Sequence, residues 1–183
     1  MPTAGMATPA EGTTIMMDRL LEGVVIFTDA SWKSNKISGT MQGEQTGLGV
    51  YIRDNSVQRK WSIKIQAKTQ QQSTVFQAEA KALLLAARIA KILQVDRPTF
   101  LTDNQVLAKT AAARRIDHPL LHWNARSYLA DFFKETMDSS PQVFHISREV
   151  NGEAHNCPTQ VFRPGLNQPI YRCTNSADRK SVV

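Results

Sequence analysis

The stretch VVIFTDASW, residues 24–32, runs five strand-forming residues straight into an aspartate, then two small residues and a tryptophan. A carboxylate at the end of a core strand is costly to bury and calls for a partner. The chain repeats the device in PTFLTDNQ, residues 98–105, where an apolar run again ends in Thr102-Asp103. What lies between these two segments decides whether Asp29 and Asp103 meet.

Working outward from residue 32, a polar loop (33–46) leads into GLGVYIRD (47–54), which sets Leu48, Val50 and Ile52 on one face. After the turn Asp54-Asn55-Ser56, RKWSIKIQAK (59–68) alternates as cleanly, Trp61, Ile63, Ile65 and Ala67 opposing the lysines. This period of two predicts a half-exposed antiparallel hairpin. Ser73 is the expected N-cap of a long helix reaching about Leu93. Then follow a strand at Thr99–Thr102, a short helix from Gln105 to Ala113 and a loop at 114–119. A helix from Leu121 to Met137, a strand at Gln142–Ser147 and a short helix after Asn151 complete the order. Three meandering strands followed by helical crossovers predict an α/β fold with a mixed sheet. Residues 1–22 read as a flexible leader rich in Pro, Ala, Gly and Thr, with order expected to begin near Met17 to Leu21. Residues 23–161 form the domain, and 162–183, with Pro164-Gly165 and Pro169, an extended tail.

A crossover helix lets the second aspartate strand join the sheet parallel to the first. Functional groups in open α/β sheets gather beyond the C-terminal ends of parallel strands, which makes Asp29 and Asp103 neighbours. The long helix offers a third carboxylate. At about 100° per residue, Gln77, Lys81 and Arg88 share one side, while Glu79 falls opposite with Phe76, Leu83, Ala86 and Ala90. Each residue taken alone has a structural alternative: Asp29 capping a turn, Asp103 capping the next helix, Glu79 paired with a distant cation. Three converging carboxylates without a basic partner favour a divalent cation, and oxygen-only ligation selects Mg²⁺ or Mn²⁺ over zinc. Two such ions would serve phosphodiester hydrolysis.

The ordered motifs TDASW, FQAEAKALLLA, FLTDNQ and HISREVNGEAHN resemble the ribonuclease H type 1 domain, and within it the plant group associated with retroelements. The resemblance spans about Val24 to Gln160. It implies a ribonuclease H-like fold, a five-stranded mixed sheet of three antiparallel strands then parallel additions, flanked by helices. The implied activity is Mg²⁺-dependent endonucleolytic cleavage of RNA in RNA–DNA hybrids. Asp29 matches the aspartate that bridges both metals, Glu79 and Asp103 the carboxylates that complete one site, and Gln105 a glutamine that reaches the hybrid's minor groove. The fourth carboxylate of the family pattern is replaced by His155, in Asn151-Gly152-Glu153-Ala154-His155, and takes its catalytic and metal-binding place. Pro158 is expected to interrupt the helix that follows. His145 lies inside the last strand and is expected to be structural. The basic protrusion of bacterial members is missing.

Cations flank the expected site: Lys33 and Lys36 after Asp29, Arg114 and Arg115 after the short helix, and Arg148 before the His155 segment. Lys33, Arg114, Arg115 and Arg148 are the expected phosphate contacts, since backbone contacts dominate affinity for nucleic acids. Trp32 is expected to pack beside the site, with stacking on a sugar or base as the alternative. A net charge of +6 over 183 residues is compatible with a polyanionic partner. Cys157 and Cys173 lack zinc-ligand spacing and read as free thiols of a reducing compartment. No apolar run reaches membrane-spanning length and no secretory pattern opens the chain, so an intracellular monomer of nucleus or cytoplasm is expected. Two competing functions remain. A catalytically impaired nucleic-acid-binding module of the same fold has no need to keep three carboxylates. A 3′–5′ exonuclease would carry glutamate where Ser31 stands, and an integrase-like transferase would need its last carboxylate near Glu153.

Overall fold

The computed structural model describes residues 10, 12–15, 21–32, 45–56, 61–70, 72–117, 121, 123–160 and 170–175. The antiparallel meander forms as the alternation requires: β2 (Val24–Trp32), β3 (Gln45–Asp54) and β4 (Trp61–Gln70), with Ile26 opposite Ile52 and Val50 opposite Ile65. Helix α1 (Val75–Ile92) crosses to β5 (Thr99–Thr102), which pairs parallel to β2 with Thr28 beside Thr102. Asp103, one residue past the end of β5, therefore lies beside Asp29, which is still within β2 and follows Thr28. Helix α2 (Gln105–Ala112), a 3₁₀ turn (Trp123–Ala125) and α3 (Arg126–Glu135) lead to β6 (Gln142–Ile146), parallel to β5. Helix α4 (Gly152–Gln160) follows.

Among the described residues the sheet has seven strands rather than the expected five. Strand β1 (Thr14–Ile15), inside the stretch read as a leader, pairs parallel to β6. Strand β7 (Ile170–Asn175), inside the stretch read as a tail, pairs antiparallel to β4. Both dock on edge strands, whose unpaired N–H and C=O groups accept any extended segment whatever its own pattern. The sheet order is β1-β6-β5-β2-β3-β4-β7.

Helices α1, α2 and α3 cover one face over Ile26, Val50, Phe100 and Val143. Helix α4 covers the other, where Ala154 joins Val25, Phe27, Leu101 and Phe144. The alanines of α1 are buried, so the helix sits close against the sheet and carries Glu79 inward with them. Its cap is Thr74 rather than Ser73: the Thr74 hydroxyl accepts from the Gln77 N–H at 3.1 Å, and the Ser73 N–H donates to the Gln77 side chain at 2.8 Å. Gln77 thus ties both residues that precede the helix, its N–H to the Thr74 hydroxyl and its side-chain oxygen to the Ser73 N–H. Helix α3 is shorter than expected because its approach is the 3₁₀ turn. Helix α4 runs through Pro158 instead of stopping before it, at the cost of one intrahelical bond. Among the described residues no helix is long and apolar enough to cross a membrane.

Candidate metal centre

Asp29, Glu79 and Asp103 converge. One oxygen from each lies within 4.8 Å of the others. Asp29 is 3 % exposed and Glu79 5 %, so two of the three charges stand in a nearly dry site. The structural alternatives for Asp103 and Glu79 fail. Asn104, not Asp103, caps α2, its side chain accepting from the Leu107 N–H at 3.0 Å. No lysine or arginine among the described residues forms an ion pair with any of the three. Glu79 Oε1 accepts a 3.3 Å bond from the Ala30 N–H, and the buried Oε2 has no partner. An unpaired buried carboxylate oxygen aimed among other carboxylates is the environment a hard cation completes, so the donors present fit Mg²⁺ or Mn²⁺.

The electrostatics follow. Burial holds the Glu79 carboxyl well above its ordinary value, and the charges of Asp29 and Asp103 add to the shift. Asp29 is raised by burial and then by Asp103, with the bond from His155 pulling it back down. Like charges in a dry site resist ionisation unless something positive joins them.

His155 reaches the cluster through Asp29. Its Nδ1 lies 2.8 Å from Asp29 Oδ2, and its Nε2 lies 3.3 Å from the Arg148 guanidinium. Arginine can only donate, so Nε2 accepts and the ring proton sits on Nδ1, donating to Asp29. Asn151 anchors this arrangement: its Nδ2 donates to the Thr28 carbonyl at 3.0 Å, and its own carbonyl accepts from the His155 N–H at 2.9 Å. Asn151 is fully buried, and its role was missed in the sequence because an asparagine before a helix reads first as a cap. Glu153 lies on the surface, ion-paired with Lys64.

The other expected contacts divide. Gln105 opens α2 next to Asp103 and is exposed, and Arg148 is exposed beside His155. Arg114 and Arg115, expected as phosphate contacts, are exposed just past the C-terminal end of α2. Eight helical residues carry the chain about 12 Å away from Asp103 before they occur. There Arg114 holds α2 to α3, donating to the Phe133 carbonyl at 2.9 Å and lying 5.2 Å over the Phe133 ring. Arg115 pairs with Asp117. Lys33, Lys36 and the side chain of Trp32 lie outside the described residues. His145 is structural in the sense that both ring nitrogens are engaged, by Thr14 and by the Asp103 carbonyl.

A family model described as reverse transcriptase-like matches residues 36–160, a stretch that holds Glu79, Asp103 and His155 and begins just after Asp29. Among solved structures the chain is similar to ribonuclease H1 of the halophilic archaeon Halobacterium salinarum, with 15% identity and TM-score 0.57, covering 75% of this chain and 95% of that one. It is equally similar to the N-terminal ribonuclease H domain of a Mycobacterium tuberculosis protein, with 15% identity, TM-score 0.58 and coverages of 75% and 91%. LC11 ribonuclease H1, solved with an RNA/DNA hybrid, gives 19% identity, TM-score 0.57 and coverages of 75% and 94%. No curated protein matches. The match over more than half its length, on a sheet that superposes on ribonucleases H, makes this chain a member of the reverse transcriptase-like family with a ribonuclease H fold.

Proposed function

We propose that this domain is a divalent-metal-dependent endonuclease that hydrolyses the RNA strand of RNA–DNA hybrids. The observation that carries the reading is the buried Asp29–Glu79–Asp103 convergence with its orphaned Glu79 oxygen. A similar protein of the same fold was solved with an RNA/DNA hybrid, which supports the choice of substrate. The four ordered motifs also support the finer resemblance to plant retroelement-associated members, and that origin belongs to the same proposal.

Asp29, Glu79 and Asp103 would hold the ions, which supply an activated water and charge stabilisation at the leaving oxygen. The chain's own contribution is to place three carboxylates and to keep two of them, Asp29 and Glu79, nearly dry. His155 orients Asp29 by donating from Nδ1. To ligate through Nδ1 it would have to move that proton to Nε2, which faces the guanidinium of Arg148, so its place is beside the metal rather than on it. Arg148 and Gln105, exposed at the rim, would meet phosphate and sugar groups of the hybrid.

The competing reading, a binding module with an impaired site, draws on that same engagement of His155, which leaves no fourth charged ligand. Purified protein incubated with a labelled hybrid in Mg²⁺, in Mn²⁺ or in chelator separates the two. The nuclease reading expects metal-dependent cleavage that Asp29→Asn and Asp103→Asn each abolish while the fold survives. Hybrid binding without cleavage in either metal would establish the module instead.

A further inference from the structure

Asp103 differs from Asp29 in how its backbone is held. Asp29 lies inside β2, paired with Gly49 of β3. Asp103 follows the last residue of β5 and stands in the turn before α2, beyond the sheet ladder. His145 reaches it from β6, with Nε2 at 3.2 Å from the Asp103 carbonyl oxygen. A carbonyl can only accept, so Nε2 carries the proton. The other nitrogen, Nδ1, must then accept, and its partner is the Thr14 hydroxyl at 2.7 Å. Thr14 and Thr102 are the register neighbours of His145 on either side, so the three side chains form a row across β1, β6 and β5.

Strand β1 is only two residues long, but the chain around it is tied down. The Gly12 N–H donates to the Val143 carbonyl at 2.8 Å, and the His145 N–H donates to the Thr13 carbonyl at 3.0 Å. Gly12 has φ +75° and is wedged against α2: a Cβ there would lie 3.2 Å from Lys109 Cα and 3.3 Å from Ala112 Cβ. Only glycine meets both demands at no steric cost.

We propose that His145 is a positioning residue for Asp103, and that β1, through Thr14, holds its ring in the donating tautomer. Residues 12–15 are then part of the working site and not an appendage to it. The inference rests on the metal-site reading above and adds to it a line of support that runs from the sheet's outer edge to one ligand. Removing it leaves Asp103 chemically intact but loosely placed, and small displacements of a reacting or ligating group are costly.

The test uses the full chain and four variants: His145→Phe, which keeps a ring without nitrogens, His145→Gln, which restores a donor, Thr14→Val and Thr14→Ser. Mn²⁺ affinity is measured by calorimetric titration, kcat and KM on a labelled hybrid, and melting temperature in chelator. The expected result for His145→Phe and Thr14→Val is Mn²⁺ affinity weakened about fivefold and kcat lowered about tenfold, with KM changed less than about twofold. Thr14→Ser and His145→Gln should recover most of both. Variants that melt earlier in chelator but bind Mn²⁺ like wild type would overturn the inference, since a purely structural role predicts that pattern. If His145→Phe does not fold, Thr14→Val on the edge strand decides the matter by the same criterion. Wild type that binds no Mn²⁺ would overturn the metal site and this inference together. Wild type that binds Mn²⁺ without cutting hybrid would overturn the nuclease reading alone, and the Mn²⁺ affinities of the variants would still decide whether His145 positions Asp103.

Discussion

Replacing Glu79 by glutamine should make the protein more stable without metal and less stable with it. Glu79 faces Asp29 and Asp103 at separations up to 4.8 Å. With an effective dielectric of about 20, two full charges at that largest separation repel by about 3.5 kcal/mol. Proton uptake relieves much of this, because burial and the neighbouring carboxylates hold Glu79 well above the ordinary carboxyl value. A raised carboxyl means the folded state keeps protons that the unfolded chain has released. Its stability is therefore greatest below the unfolded value and is lost as the pH rises from there through the folded value. Glutamine keeps an acceptor for the Ala30 N–H and turns an amide toward the aspartates. At pH 8 in chelator the gain should be about 2 kcal/mol, or about 4–8 °C in melting temperature for a chain of this size. At pH 5 it should shrink toward zero. Metal reverses the order: at one hundred times its dissociation constant an ion stabilises wild type by about 2.7 kcal/mol, and Glu79→Gln much less. Differential scanning fluorimetry at pH 5 and pH 8, with chelator and with Mn²⁺, reads all four values. A Glu79→Gln variant that melts several degrees below wild type at pH 8 in chelator would refute the reasoning, for it would show Glu79 to be a satisfied structural carboxylate.

Three further outcomes are expected. His155→Ala should lower hybrid cleavage about tenfold at saturating Mg²⁺ with little change in the half-saturating concentration, whereas His155→Asp should tighten Mg²⁺ and lower stability in chelator; a Mg²⁺ titration of cleavage distinguishes them, and a large weakening of Mg²⁺ by His155→Ala would make His155 a ligand after all. Arg148→Ala should weaken hybrid binding and reduce the salt slope by about one, while Arg114→Ala should leave binding alone and cost about 1–2 kcal/mol of stability through its lost contacts with Phe133; mobility shifts across a salt series and thermal melts check the pair. Gly12→Ala should destabilise by about 1–3 kcal/mol, since the new methyl meets the backbone of α2 at a positive φ, and denaturant unfolding measures it.

Much of this was legible in the sequence because periodicity and topology are properties of a chain taken in order. Alternation in 47–54 and 59–68 specified the hairpin, and a crossover helix before PTFLTDNQ required Asp103 to leave the sheet beside Asp29. The helical period put Glu79 on the buried face of α1, where it is found. Periodicity assigns faces, however, and not partners. Strands β1 and β7 were invisible because an edge strand is defined by the neighbour that needs its hydrogen bonds, and a strand as short as β1 carries no period. Arg114 and Arg115 looked close to the site along the chain, but α2 carries them away to the α3 packing and to Asp117. His155 could be aligned with a missing carboxylate from the sequence, yet which nitrogen faces Asp29 and which faces Arg148 depends on where α4 docks against β2. His145 likewise became a link between Thr14 and Asp103 only when three strands lay side by side. A hydrogen bond is decided by tenths of an ångström between atoms far apart in sequence, and only the packed sheet brings them to that distance.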